Sequence, residues 1–177
     1  MAMAKPTIVL VLSLAMLVTV GCENTDPTPA QREAVDTAVR GYLFALADAY
    51  SNLDTSVLEG HASPNEILAV RKLLKQLAQT GDRIDSELIG FEIESMSVFR
   101  QINATVRLIE VWDVTRYGAF DGREKGRNPS SLQNTLLQLR RVDGTWIVVG
   151  RSILSRETPP PETPVPEVQV VTPEAGD

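Results

Sequence analysis

Apolar positions change their spacing along the chain, and each change marks an element. Ile8 to Val20 (IVLVLSLAMLVTV) is an apolar run of 13 residues behind Lys5. From Val35 onward, Ala38, Val39, Tyr42, Leu46, Ala49 and Tyr50 recur at three- and four-residue intervals, which predicts an amphipathic helix over 29–51. Thr28-Pro29-Ala30-Gln31 opens it: threonine caps, proline takes the first turn and glutamine reaches back. Asp54-Thr55-Ser56 reads as the cap of a short second helix ending at Glu59. Ser63-Pro64-Asn65-Glu66 repeats the opening device, with glutamate reaching back, for a third helix that buries Ile67, Val70, Leu74 and Leu77 and stops at Gly81.

Beyond Gly81 the period is two. Leu88 to Arg100 alternates through Phe91, Ile93 and, less regularly, Met96 and Val98. Asn103 to Tyr117 sets Ala104, Val106, Leu108, Glu110, Trp112 and Val114 on one strand face. Leu132–Val142 and Thr145–Leu154 form a hairpin closed by Asp143-Gly144. Gly118–Ser131 reads as a long polar hairpin loop, the kind of connection that is functional or unstructured. Three helices followed by four antiparallel strands predict an α+β fold, with the helices packed on one face of a curved four-stranded sheet.

The two ends stand outside this domain. A 13-residue apolar run is short of the ~20 residues a spanning helix needs and matches a secretory h-region. Val20-Gly21-Cys22, followed by Glu23-Asn24-Thr25-Asp26-Pro27, resembles the lipobox of bacterial lipoproteins, although Thr19 departs from the usual Leu, Val or Ile. That resemblance implies cleavage before Cys22, lipidation of its thiol and acylation of its amine by a palmitate-type chain. The protein would then be extracytoplasmic and membrane-anchored, at the cell membrane or, in a diderm host, at the outer membrane. An uncleaved anchor and ordinary cleavage that leaves a free thiol are the alternatives. Residues 157–177 hold six of the eleven prolines, too dense for a packed core. The expected organisation is a signal segment over 1–22, a tether over 23–28, a domain over 29–155 and a disordered Pro-rich tail over 156–177.

Charge and composition narrow the function. Residues 30–156 carry 16 Lys+Arg and 16 Asp+Glu, so the overall −6 belongs to the ends, and a neutral domain offers no footprint for nucleic acid. One cysteine allows no internal disulfide, and one histidine allows no multi-histidine metal site. Phosphate-loop, dinucleotide, zinc-protease and nucleophile-elbow motifs are absent from the sequence. No cofactor is expected.

The order of elements, with Tyr42–Tyr50, Asp54–Leu58, Ala104-Thr105-Val106, Glu110-Val111-Trp112 and Asp143–Val148, resembles the nuclear-transport-factor-2-like superfamily, a cystatin-like cone. Within it, the intermembrane-space domain of chloroplast-division proteins and their bacterial relatives is most similar. Such resemblance implies a cone of helices against a bent sheet, and a homodimer through that sheet is common among relatives. Members divide into enzymes, ligand binders and interaction modules, so fold alone transfers no activity.

Tyr42, Glu110, Trp112, Arg140 and Trp146 are the candidate cavity residues. Glu110 could serve as a buried base, as in the superfamily's isomerases and dehydratases, or pair with Arg140 across the sheet. With no second catalytic group beside it, the pairing is the simpler reading. His61 falls between helices, and Asp48 is expected to face solvent. Arg116, Arg123, Lys125 and Arg127 cluster in the polar loop as candidate contacts. The expectation is a membrane-tethered, non-catalytic module for a protein or a small apolar ligand; a small isomerase-like enzyme and a passive scaffold are the rivals.

Overall fold

A computed structural model describes residues 26–157. The apolar leader, Cys22, residues 23–25 of the tether and the Pro-rich tail from residue 158 lie outside the described residues. Within them, α1 (Pro29–Asn52) and α2 (Pro64–Gln79) precede β1 (Asp82–Phe99), β2 (Asn103–Gly118), β3 (Glu124–Val142) and β4 (Thr145–Glu157). The strands form one antiparallel sheet in sequential order.

Two helices form, not three. Between them Ser56–Leu58 makes a single 3₁₀ turn, held by Leu58 N–H to Thr55 O and Glu59 N–H to Ser56 O at 3.2 and 3.0 Å. Asp54 caps the Ser56 amide at 2.8 Å, and Gly60 turns the chain at φ 83° before an α-helical ladder can start. At α1 the expected capping box is present: Thr28 accepts from Gln31 N–H and Gln31 accepts from Thr28 N–H. At α2, Ser63 caps the Glu66 amide at 3.3 Å, but the Glu66 side chain does not reach back. Its Oε1 instead accepts from the Tyr42 hydroxyl at 2.7 Å, tying α2 to α1.

Pairing explains where the sheet departs from strict alternation. Val98, Met96, Ile93, Phe91 and Leu88 of β1 lie opposite the inward positions of β2, and two bulges between Leu88 and Gly90 and between Ile93 and Ser95 shift their parity. The polar segment after Gly118 is mostly strand rather than loop. Glu124, Gly126, Arg127 and Asn128 pair with Tyr117, Arg116, Thr115 and Val114, which leaves 119–123 as the connection. Pro129 and Ser130 sit in a bulge, Ser130 at φ 53°. Among the described residues β4 reaches Glu157, opposite Leu132, and Pro129 falls in the bulge of β3, where a proline is tolerated.

One apolar core joins α1 to the inner sheet face. Val35, Val39, Leu43 and Leu46 of the helix pack with Val98, Val106, Leu108, Leu137 and Leu139 of the sheet. His61 lies against α1: a Cβ at Gly41 would come 2.9 Å from its Nδ1, so the helix keeps a glycine at this contact. The His61 carbonyl accepts from Val148 N–H at 2.9 Å, and the Val148 carbonyl accepts from Ser63 N–H at 2.8 Å. The link between the helices is thereby fastened to β4, and α2 is held at one end of the sheet.

Candidate functional site

The inner sheet face becomes less bulky and more polar toward the C-terminal end of α1. Inward positions change from Val98, Val106 and Leu137 to Ser86, Ser131 and Gln133, and α1 and α2 do not close the space above them. A cavity of about 340 Å³ results. Leu73, Leu77, Ile84, Trp112 and Val114 supply apolar wall, and Tyr50, Asn128, Gln133, Arg151 and Arg156 supply polar groups. This volume lies at the lower end of the range of small-molecule sites.

Behind the wall lies a buried polar network. Glu110 is fully buried; its Oε2 accepts from Arg151 Nη2 at 2.5 Å and from Trp112 Nε1 at 2.7 Å. The same Arg151 nitrogen donates to Gln133 Oε1 at 3.3 Å, so the network spans β2, β3 and β4. Glu110 Oε1, Thr135 Oγ1, Arg151 Nε and Asn128 Oδ1 are buried without a hydrogen-bond partner among the described residues. Burial pulls the Arg151 pKa down, but the charge and hydrogen bond of Glu110 more than reverse this, and the guanidinium holds its proton more tightly than usual. Burial likewise raises Tyr42, reinforced by the Glu66 charge and hydrogen bond, and raises Tyr50 against the opposing pull of Arg151.

Arg140 is not the partner of Glu110. Register sets Arg140 opposite Asn103, while Glu110 lies opposite Gln133; the inward residues of β3 are the odd ones, and Arg140 is exposed on the other face. Arg151 takes the role because of a bulge. Strict alternation from the inward Trp146 and Val148 would turn Arg151 outward, but between Val148 and Gly150 the pairing slips by one residue and brings Arg151 to the inner side opposite Leu137. Gly150, an isolated glycine in a strand, is the signal that could have revealed it.

The other named residues separate. Trp112 lines the cavity; Glu110 sits behind it, and Tyr42 is fully buried under α1 against Glu66. Trp146 fills the core opposite Arg141, toward the far end of the sheet. His61 packs on Gly41, and Asp48 is exposed. Lys125 Nζ pairs with Asp82 at 2.6 Å and Arg127 Nη2 with Asp113 at 2.6 Å, whereas Arg116 and Arg123 are exposed. Tyr50, Asn128 and Arg156 line the cavity as well and were not singled out by periodicity as site residues.

Replacing Glu110 with leucine strands the Arg151 charge in the interior. Urea titration should register a loss of about 3–5 kcal/mol, and the double variant Glu110→Leu, Arg151→Met should recover most of it. The raised tyrosines give a pH signature of opposite sense to acid unfolding. Their folded pKa exceeds the unfolded value of about 10, so the stabilisation is complete below that pH and is lost as pH rises toward the folded value. Unfolding midpoints measured from about pH 8 to about pH 11 should therefore fall, and should fall less in Tyr42→Phe.

No protein-family model matches the chain, and no curated protein matches it in sequence. Among solved structures, the intermembrane space region of the chloroplast protein ARC6 aligns with a TM-score of 0.59 at 13% identity, over 73% of this chain and 99% of that one. A ketosteroid isomerase-like protein from Erwinia carotovora atroseptica SCRI1043 aligns with a TM-score of 0.50 at 15% identity, over 72% and 99%. At such identities the likeness is one of fold. The chain shares the fold of these two proteins: an α+β arrangement of four antiparallel strands with two helices packed on them.

Proposed function

We propose that the protein is a lipid-anchored, extracytoplasmic module that binds a small, partly apolar molecule in its cone without transforming it. The observation that carries this reading is the state of Glu110. A general base must reach its substrate with a free oxygen. Glu110 does not line the cavity: its Oε2 is held by a guanidinium and an indole N–H together, and its unpartnered Oε1 is buried out of reach of the cavity. What faces the cavity instead is apolar wall with a few convergent donors and acceptors, the make-up of a binding site. An isomerase-like reading would require Glu110 to leave Arg151, at the expense of a buried charge pair.

The Lys5 and Ile8–Val20 leader and the Val20-Gly21-Cys22 junction support the anchor. Cys22 precedes the start of α1 at Pro29, whereas Tyr50 in the cavity wall lies about 30 Å further along the helix at ~1.5 Å per residue. A lipid on Cys22 would thus hold the closed end of the cone to the membrane and leave the cavity toward the aqueous side.

Metabolic labelling with a tagged fatty acid should mark the wild-type chain and miss Cys22→Ala, which should move to the soluble fraction; equal labelling of both would remove the anchor. For the cavity, the fluorescence of anilinonaphthalene sulfonate should rise with the native protein and drop at least about tenfold in Leu77→Trp, where an indole fills the space.

A further inference from the structure

The strands that wall the cavity do not all reach the same level. Ser86, Val114 and Asn128 lie side by side across β1, β2 and β3, and all three line it. β4 lines it with Arg151 and Arg156 and, among the described residues, reaches Glu157 opposite Leu132. Asn128 lies four residues beyond Leu132 along β3, about 13 Å at ~3.3 Å per residue. Over that length no described residue of β4 lines the cavity. On the helix side the wall is apolar: Leu77 is half-buried, and Leu73 is 43% exposed although it lines the cavity.

The sequence continues from Glu157 as Thr158-Pro159-Pro160-Pro161. β4 runs antiparallel to β3, so a chain that keeps its direction passes from the level of Leu132 toward that of Asn128. Four residues in polyproline-II geometry cover about 12 Å at ~3.1 Å each, which matches the length that β4 leaves without lining. The residue type matches as well. Backbone laid on Leu73 and Leu77 finds no hydrogen-bond acceptor there, and proline has no N–H to leave unpaired. With φ already fixed, ordering three prolines costs less entropy than ordering three other residues. The outer sheet face also exposes Leu132 beside Glu157, but its neighbours Leu136 and Ile109 lie back along the path of β4. Covering them would require the chain to double back within a stretch that proline holds extended.

We infer that Thr158–Pro161 of this chain crosses the open side of the cavity as a polyproline-II strap, its rings packed on Leu73 and Leu77, and that a ligand entering the cone has to displace it. Pro-rich segments are recognised in this way, by apolar grooves that take a preformed extended backbone. Attachment at Glu157 makes the contact intramolecular, with an effective concentration near the millimolar range, so weak packing is enough to keep the strap in place. The competition rests on the binding reading above; the contact itself rests on the position, length and composition of the segment.

The test uses the full chain carrying Cys22→Ala. In its nuclear Overhauser spectra the ring protons of Pro160 and Pro161 should contact the methyl groups of Leu73 and Leu77. In the same background, replacing Pro159, Pro160 and Pro161 together with serine keeps the length and restores three N–H groups. That variant should bind anilinonaphthalene sulfonate about 3- to 10-fold tighter, the factor by which a cavity covered most of the time loses apparent affinity. Proline contacts to Leu136 or Ile109, no contacts at all, or contacts that arise only between differently labelled chains in a mixed sample would overturn the strap. Unchanged dye affinity in the triple-serine variant would overturn the competition. The binding reading fails separately, if the dye binds Leu77→Trp as it binds the wild-type chain, and the proline contacts then still decide where the strap lies.

Discussion

A carboxylate buried as completely as Glu110 can remain charged only beside a cation and hydrogen-bond donors, because the interior offers no water to solvate it. Arg151 and Trp112 meet that demand, and in doing so they constrain three strands at once. β4 must slip by one residue to present Arg151, β3 must present Gln133 beside it, and β2 must keep Glu110 and Trp112 on the same face. A well-packed apolar pair of similar volume would stabilise the fold at least as well. On that argument the ion pair is held for arrangement more than for free energy: it locks the pairing of β4 on β3 and keeps a long, stiffly bonded side chain at the cavity wall.

The same division runs through the helices. Toward its N-terminus α1 meets large apolar side chains and the space is filled. Toward its C-terminus it meets serines, glutamine and the arginine pair, and the space remains open. Tyr42 and Glu66 lie between these halves and bind α2 to α1 through a single buried hydrogen bond. With His61 and Ser63 also fastened to Val148, α2 cannot settle onto the sheet to close the cavity without breaking bonds at its own N-terminus. The opening is therefore a consequence of how the helix pair is fixed.

Much of this architecture was legible in residue spacing. The inward face of β2, from Ala104 to Trp112, follows from alternation alone because that strand has no bulge before Trp112. The first helix follows from its apolar stripe and capping box. Arg151 was hidden by the bulge at Gly150, since one inserted residue inverts the face of everything beyond it. The strand at Glu124–Ser131 was hidden by composition: glycine, proline and charge read as loop, and pairing with β2 makes it strand. Glu66 was misjudged because a tertiary partner, Tyr42, outcompeted the local back-bond to its own helix end. In each case a contact distant in sequence overrode a short-range rule.

Charge balance adds a last constraint. Over 30–156 basic and acidic residues are equal in number, yet both charged groups in the cavity wall are basic. The compensating acids therefore lie elsewhere, on the outer surface or, like Glu110, behind the wall. A neutral exterior gives little long-range attraction for polyanions, whereas a recess with low-dielectric walls concentrates the field of its own cations. On the binding function proposed above, a ligand has to be slender enough to enter this recess and apolar enough to remain beside Trp112 and Leu77.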